Sequence, residues 1–244
     1  MPDPFLPLVL VAVMILPQFT AKLRALTLAV GTGLVVACGS ADAANRTPAP
    51  KAPADTLTDS ALMATADAGR YEGSDKAPIW IVMISDFQCP YCKEWHDSTL
   101  TAIRREYVAT GKVRLAYLNL PLQGHKHAMV MAKAGMCASA QRKFWEYADA
   151  MFSRQKSVGN LVDVNPMLIS LADSLKLDTA AFSHCQRSNA ISSLVQSDLR
   201  QADKAKISAT PSFFVGQFIL EGAVPLKSFR MAVDSALVLA AKGR

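Results

Sequence analysis

The 244-residue sequence has no run of lysine and arginine with aromatic residues between them, although its formal net charge is +6. Proteins that bind nucleic acids usually concentrate basic residues in such runs, so we expect no nucleic-acid partner. No internal repeat is visible. The outermost apolar stretch, Phe5–Leu16, is short and contains Pro7, so it is a poor candidate for a membrane-spanning helix.

Cysteine is scarce: the chain has five, at positions 38, 89, 92, 137 and 185. Cys89 and Cys92 form a Cys-x-x-Cys pair, a spacing that also occurs in zinc sites. A structural zinc site needs a second pair of ligands, and neither Cys137 nor Cys185 has a cysteine or histidine at finger spacing. The sequence therefore predicts no metal and no cofactor other than a redox-active Cys89–Cys92 disulfide.

The N-terminal region has the features of an export signal. Lys22 and Arg24 precede an apolar stretch at 25–37, and Cys38 follows that stretch directly. A basic segment, a short apolar segment and small residues before a cut are typical of a secretory signal. The letters Val-Val-Ala-Cys-Gly around Cys38 resemble a bacterial lipoprotein box, in which the cysteine is lipidated. We therefore expect residues 1–37 to be a lipoprotein-type signal peptide and Cys38 to be the lipidation site.

Two alternatives stay open for this region. Cleavage near residues 41–44 would discard Cys38 and release the protein, and translation from Met14 would shorten the signal. Residues 38–59 are rich in Ala, Pro, Thr, Asp and Lys and lack apolar periodicity, which predicts a semi-extended tether. The folded domain is expected at 60–244.

Apolar periodicity divides the folded part into strands and helices. The predicted strands are 79–85, 113–119, 212–215 and 218–220, and the predicted helices are 90–108, 165–176, 178–186, 189–204 and 225–241. Gly216-Gln217 predicts a hairpin between the last two strands. A helical region at about 124–206, whose methionine-rich stripe is interpreted as core packing, interrupts the strands. The expected fold class is α/β, with a mixed sheet and an inserted helical subdomain.

The Cys-x-x-Cys pair lies where the first predicted strand gives way to a helix. The first sulfur then sits at a helix N-terminus, where unpaired backbone N–H groups and the helix dipole stabilise a thiolate. Cys89 is expected to be the better-exposed sulfur, because Cys92 already lies inside the first helical turn. Pro90 has no N–H to lose at this position and stiffens the turn. The pattern indicates a reactive dithiol with Cys89 as the attacking or attacked sulfur.

The chain contains four motifs in a fixed order: Ser85–Cys92, Leu120–His125, Lys143–Tyr147 and Thr210–Val215. Together they resemble the DsbA-like branch of the thioredoxin superfamily, including its DsbA/BdbD-type members, over roughly residues 70–240. The resemblance implies a thioredoxin-like fold and protein thiol–disulfide oxidoreductase activity.

The resemblance also implies roles for residues near the dithiol. Pro211 corresponds to the cis-proline of the superfamily, and the backbone of Thr210 to the segment that pairs with extended substrate. Tyr91 stands where some members carry a histidine, so we expect a less depressed Cys89 pKa and a milder oxidant. Met83 stands where many members carry a buried carboxylate, which leaves Asp86 as the only nearby acid, either catalytic or bracing the turn.

Cys137 and Cys185 both fall in the helical region. Two unpaired thiols are a liability in an oxidising compartment, so we predict a structural disulfide between them, which the resemblance supports. The alternative is two reduced cysteines in packed surroundings. Among the histidines, His96 is interpreted as a surface or packing residue, and His125 and His127 as capping or solvent-facing residues.

The expected function is a thiol–disulfide oxidoreductase of the bacterial cell envelope or periplasm that passes a disulfide from Cys89–Cys92 to exported proteins with free thiols. A membrane thiol oxidase or reductase would reset the dithiol, a lipid anchor would hold the protein at the membrane, and the protein would be a monomer. The alternatives are a protein-disulfide reductase or isomerase, and a copper metallochaperone that uses the same two thiols.

Overall fold

The computed structural model of the chain describes residues 58–243. The signal peptide at 1–37, the lipidated Cys38 and almost all of the predicted tether lie outside these residues.

A five-stranded mixed sheet forms the centre of the described domain. Its strands are β1 (Tyr71–Glu72), β2 (Ile79–Ser85), β3 (Val113–Asn119), β4 (Ser212–Val215) and β5 (Phe218–Glu221), in the spatial order β1-β3-β2-β4-β5. Strands β2 and β3 are parallel, and the other neighbouring pairs are antiparallel. The predicted α/β class with a mixed sheet is confirmed.

The central position of β2 follows from its side chains. Ile81, Met83 and Ile84 are all buried, because both faces of this strand are covered. The β4–β5 hairpin turns at Gly216-Gln217, and Gly216 has φ of +57°, which glycine adopts without the steric penalty that a side chain brings.

Helices cover the sheet, and most of them form one insertion between β3 and β4. The helices outside the insertion are α1 (Asp59–Gly69), α2 (Pro90–Trp95), α3 (Thr101–Ile103) and α9 (Leu226–Lys242). Those of the insertion are α4 (Ala128–Ala140), α5 (Phe144–Val158), α6 (Asn165–Ser174), α7 (Thr179–Arg187) and α8 (Asn189–Lys204). The inserted helices thus coincide with the region expected at about 124–206.

The predicted helix at 90–108 is less regular than its pattern indicates. After α2 the chain widens into a π-helical segment (His96–Leu100), and a second one (Arg104–Val108) follows α3. No proline or glycine in this stretch accounts for the widening. The methionine-rich stripe is also broken, since α4 and α5 are separated by a turn in which Arg142 has φ of 60°.

The segment before β2 contains two elements that the sequence pattern did not indicate. Helix α1 begins at its N-cap Thr58, whose hydroxyl accepts a hydrogen bond from Ala61 N at 3.3 Å. It packs against α4 and α8, and the two-residue β1 then pairs with β3 at the sheet edge. Helix α1 and strand β1 therefore precede the first predicted element, the strand at 79–85.

One disulfide ties the inserted helices together. Cys137 on α4 and Cys185 on α7 are bonded, with an S–S distance of 2.03 Å, and they are 48 positions apart in the sequence. No helix between residues 58 and 243 is both long enough and apolar enough to cross a membrane.

Candidate active site

Cys89 lies at the junction between β2 and α2. It is the N-cap of α2 with an extended backbone (φ −71°, ψ 121°), and Pro90 occupies the first helical position. The N–H of Cys89 donates to Asp86 O at 3.1 Å, and its carbonyl accepts from Lys93 N at 3.2 Å. The sulfur of Cys89 is therefore held at the positive end of the helix.

The surroundings of Cys89 favour its thiolate. The hydrogen bond that the Cys92 thiol donates to it lowers the pKa of Cys89 to about 5, against the opposing effect of burial. Thr210 and the backbone N–H groups of Tyr91 and Cys92 lower it further. An ordinary cysteine has a pKa of about 8.5, so Cys89 is ionised at neutral pH.

The pKa of Cys92 is shifted in the opposite direction. Burial raises its pKa well above the usual value, and so does the hydrogen bond that it donates to Cys89. The N–H of Asp86 points at its sulfur, with an N–S distance of 3.5 Å. The reduced pair therefore carries its proton on Cys92 and its negative charge on Cys89.

Both sulfurs lie deeper than the sequence indicated. The exposed fraction of Cys89 is 4% and that of Cys92 is 2%, so the predicted difference in exposure is small. The two cysteines differ instead in the hydrogen-bond donors that surround them.

The Thr210–Pro211 peptide bond is cis and lies against the dithiol. In its thiol form, the sulfur of Cys89 donates to Thr210 O at 3.3 Å, across 121 positions of sequence. The Thr210 hydroxyl is buried and has no partner of good hydrogen-bond geometry among the described residues, yet it is close enough to lower the pKa of Cys89. It is thus available to donate when Cys89 is ionised.

Asp86 braces the active-site turn. One carboxylate oxygen accepts from Gln88 N at 2.7 Å, and the other accepts from Leu122 N at 2.9 Å and lies 2.6 Å from His125 Nδ1. Because both oxygens are engaged away from the sulfurs, the geometry supports the bracing role rather than proton transfer. His125 belongs to this brace and does not cap a helix.

Two glutamine side chains, one from the insertion and one from the turn itself, link the same turn to the helical insertion. Gln155 on α5 donates from Nε2 to Phe87 O at 2.8 Å and to Cys89 O at 2.9 Å. Gln88 Oε1 accepts from His127 N, and His127 Nε2 lies 3.0 Å from Leu161 O. His127 is the N-cap residue of α4, as expected of a capping histidine, but its side chain makes no capping bond, and it is buried rather than solvent-facing. No local sequence signal identifies Gln155.

Phe87 anchors the turn to the core. Its ring stacks on Tyr117 at 5.0 Å and contacts Phe152 at 5.1 Å between ring centroids. Met83 is buried two residues before the end of β2, so no carboxylate enters the core at that position. By contrast, Tyr91 between the two cysteines is 61% exposed and faces solvent.

His96 and the structural disulfide lie apart from the dithiol chemistry. His96 packs on Phe152 with ring centroids 4.6 Å apart, and its Nε2 lies 2.8 Å from Asp149 Oδ1. The Cys137–Cys185 bond joins α4 to α7 within the insertion. The structure therefore brings Cys89, Cys92, Thr210 and Pro211 together and keeps the other cysteine pair separate.

Comparison with known proteins assigns the family. Residues 65–235 match the family model described as thioredoxin. A probable disulfide bond formation protein D of Bacillus cereus is 32% identical over 169 residues, which cover 68% of this chain and 77% of that protein.

Two solved structures share the fold. The oxidised BdbD of Bacillus subtilis superposes with a TM-score of 0.64 at 22% identity, covering 70% of this chain and 94% of that one. The alpha-DsbA1 of Wolbachia pipientis has a TM-score of 0.64 at 24% identity, with 71% and 93% covered. The chain therefore belongs to the DsbA-like branch of the thioredoxin superfamily and is a protein thiol–disulfide oxidoreductase.

Proposed function

We propose that the protein is a disulfide donor, which oxidises the thiols of exported proteins. The observation that carries this proposal is the lowered pKa of Cys89, which is about 5. A stable Cys89 thiolate stabilises the reduced form of the protein, and a stable reduced form makes the disulfide form a stronger oxidant. No cofactor beyond the Cys89–Cys92 disulfide is needed.

The proposed reaction has two exchange steps. A substrate thiolate attacks the Cys89 sulfur, the Cys89–Cys92 bond breaks, and its electron pair leaves on Cys92. A second substrate thiolate then attacks the substrate sulfur of the mixed disulfide, and Cys89 leaves as a thiolate. The substrate is oxidised by two electrons and the protein dithiol is reduced. The low pKa of Cys89 makes it a good leaving group in the second step.

Substrate would approach along the exposed side of the dithiol. Tyr91 is solvent-exposed there, and the backbone of Thr210 lies directly against Cys89. An extended peptide that pairs with Thr210 would place its own cysteine beside the Cys89 sulfur. Pro90 and Tyr91 would then adjust the reactivity of the turn, and Pro211 would shape the loop that receives the peptide.

The proposed location is the bacterial cell envelope. The signal at 1–37 and the small residues before Cys38 support export with a lipid on that cysteine, and residues 38–59 would span a few tens of Å at roughly 3 Å per residue. A membrane thiol oxidase would regenerate the disulfide, and the protein would act as a monomer. Without lipidation the same protein would be released.

The reduction potential of the Cys89–Cys92 couple tests the direction of transfer. Equilibration of the purified protein with glutathione redox buffers is expected to give a value nearer to about −120 mV than to about −270 mV. A value near about −270 mV would indicate a reductase and would contradict the proposed disulfide donor. The Cys137→Ala/Cys185→Ala variant serves as a control, because its couple is expected to have the same potential.

Copper delivery is the competing function from another class. Among residues 58–243, no group of three or more His, Cys, Asp or Glu side chains is placed to hold a metal ion. Tight Cu(I) binding that survives competition by glutathione would nevertheless favour that function over exchange.

Anchoring is tested separately by the Cys38→Ala variant of the full chain. If Cys38 carries the lipid, the wild-type protein fractionates with membranes and incorporates labelled palmitate, whereas the variant does neither. Equal fractionation of both proteins would remove the lipid anchor from the proposal.

A further inference from the structure

Two hydroxyl groups are buried next to Cys92 without ordinary hydrogen-bond partners. Ser85 is 2% exposed and Tyr117 is 1% exposed, and neither oxygen has a partner of good geometry in the part of the chain that the structure describes. Buried polar groups are nearly always paired in folded proteins. Two adjacent exceptions beside a reactive sulfur therefore call for an explanation.

Strand geometry places both hydroxyls on the same side of the sheet. Met83 pairs with Tyr117 across β2 and β3, and Ser85 follows Met83 by two positions, so all three side chains share one face. Ser85 also precedes Asp86, whose N–H points at the Cys92 sulfur at 3.5 Å. The Ser85 hydroxyl is close enough to both Cys92 and Tyr117 to act on the pKa of each.

Among residues 58–243, no carboxylate is hydrogen-bonded to Cys92. Met83 occupies the strand position where an acid would enter the core, and it is buried. Asp86 directs its two oxygens to Gln88, Leu122 and His125. The Ser85 hydroxyl and the Asp86 N–H are thus the hydrogen-bond donors that face the buried sulfur.

We propose that Ser85 is a catalytic residue whose hydroxyl donates a hydrogen bond to the Cys92 sulfur as it leaves the disulfide. Tyr117 is a positioning residue, which donates to Ser85 Oγ and turns the Ser85 hydrogen toward Cys92. This inference rests on exchange at Cys89–Cys92 but not on its direction.

The negative charge that develops on Cys92 during exchange explains why the hydroxyls of Ser85 and Tyr117 lack ordinary partners. When a thiolate attacks Cys89, a new S–S bond forms, the Cys89–Cys92 bond breaks, and the electron pair of that bond becomes a negative charge on Cys92. Burial makes this charge unfavourable until a proton arrives from solvent. Donors that are already oriented toward developing charge lower the barrier, because they need no rearrangement during the reaction. The same donors act in reverse when the disulfide is remade.

The test is the rate at which dithiothreitol reduces the oxidised full-length protein, measured by stopped-flow tryptophan fluorescence. Loss of one pre-oriented donor to an oxyanion slows enzymatic reactions by about 10²–10³-fold. Sulfur is a weaker hydrogen-bond acceptor than oxygen, so we expect dithiothreitol to reduce Ser85→Ala only about 10-fold more slowly than the wild type. Tyr117→Phe is expected to slow the reaction by about 3-fold, and Ser85→Thr, which keeps a hydroxyl, should restore most of the rate.

Matched controls remove buried hydroxyls that have ordinary partners. Ser139 donates to Ala66 O, and Tyr147 donates to Leu168 O at 2.8 Å. Ser139→Ala and Tyr147→Phe are expected to lose stability while reducing at the wild-type rate. Circular dichroism of each variant identifies any protein that fails to fold.

The outcomes separate this inference from the proposed function. Folded Ser85→Ala that reacts at the wild-type rate, or that slows no more than Ser139→Ala, overturns the role of Ser85. Slowing without rescue by Ser85→Thr also overturns it, provided that this variant is folded. A strongly reducing potential of the wild-type protein overturns the donor function and leaves the role of Ser85 intact, because the Cys92 thiolate that leaves in one direction is the one that attacks in the other, and both directions pass through the same transition state.

Discussion

The two cysteine pairs of this protein are equally buried, yet only one is arranged for exchange. Cys137 and Cys185 are 0% and 5% exposed, and Cys89 and Cys92 are 4% and 2% exposed. The first pair is bonded between two helices of the insertion, 48 positions apart. The second lies at a helix N-terminus with the N–H of Asp86 and the loop of Thr210 against its sulfurs.

The difference shows that burial by itself does not decide how a cysteine reacts. Hydrogen-bond donors around Cys89 favour its thiolate, whereas Cys137 and Cys185 are bonded to each other and have no thiol to ionise. Substituting one pair while keeping the other intact tests this contrast directly.

Removing Cys89, the sulfur that the substrate thiolate attacks, is expected to have the largest effect. Cys89→Ser should lower the rate of disulfide transfer to a reduced peptide to the uncatalysed background, because a serine hydroxyl is not ionised and forms no mixed disulfide. Peptide oxidation followed by mass spectrometry measures this. Activity above background in the variant would show that another cysteine accepts electrons.

Removing the structural pair, Cys137 and Cys185, should lower the stability of the protein and leave its disulfide transfer intact. Cys137→Ala/Cys185→Ala is expected to lose up to about 4 kcal/mol of the free energy of unfolding, since the disulfide closes a loop of 48 positions. The rate of disulfide transfer should stay within about 2-fold of the wild type at a temperature where the variant is folded. Urea unfolding provides the stability, and a marked fall in the rate of the folded variant would contradict the separation of the two pairs.

The pH dependence of the reduced protein should reflect Cys89. Its pKa falls from about 8.5 in the unfolded chain to about 5 in the folded one. The stability that it contributes is therefore present above about pH 8.5 and is lost as the pH falls through about 5.

The oxidised protein lacks this titration, so the melting temperature of the reduced form should rise relative to the oxidised form between pH 5 and pH 8.5. Alkylation of Cys89 by iodoacetamide should have its midpoint near pH 5, while Cys92 stays protected because its pKa is raised. A difference in melting temperature that does not change with pH would contradict the thiolate assignment.

The smallest expected effect concerns the glutamine that holds the turn. Gln155→Ala removes the donor to the carbonyls of Phe87 and Cys89, which should lower the free energy of unfolding by about 1–2 kcal/mol. Transfer should slow by a few-fold, because Cys89 is held less firmly.

Gln141→Ala is the matched control for that variant. Gln141, the C-cap residue of α4, also bonds to main-chain groups, those of Asp178, at 2.9 and 3.1 Å, but it makes no bond to the active-site turn. The Gln141→Ala variant should have a lower free energy of unfolding and an unchanged rate of disulfide transfer. Equal slowing of both variants would mean that Gln155 acts on stability alone.

Local pattern predicted much of the fold. Strands β2 and β3 and helix α8 have the predicted bounds, because each is a regular apolar repeat with clear ends. The two-residue β1 is too short for any periodicity, and α1 follows directly on the Ala-rich tether composition. The bracing role of His125 and the burial of His127 were missed because their partners, Asp86 and Gln88, are 39 positions away in sequence.

The sequence by itself determined that a Cys-x-x-Cys pair lies at a strand-to-helix junction, since strand, turn and helix are all set by neighbouring residues. Only the tertiary structure decided what surrounds those sulfurs. Thr210 reaches Cys89 across 121 positions and Gln155 across 66, and the hydroxyls of Ser85 and Tyr117 meet through strand pairing. The reason is physical: the pKa of a buried thiol depends on donors within a few Å, and long-range packing brings those donors together.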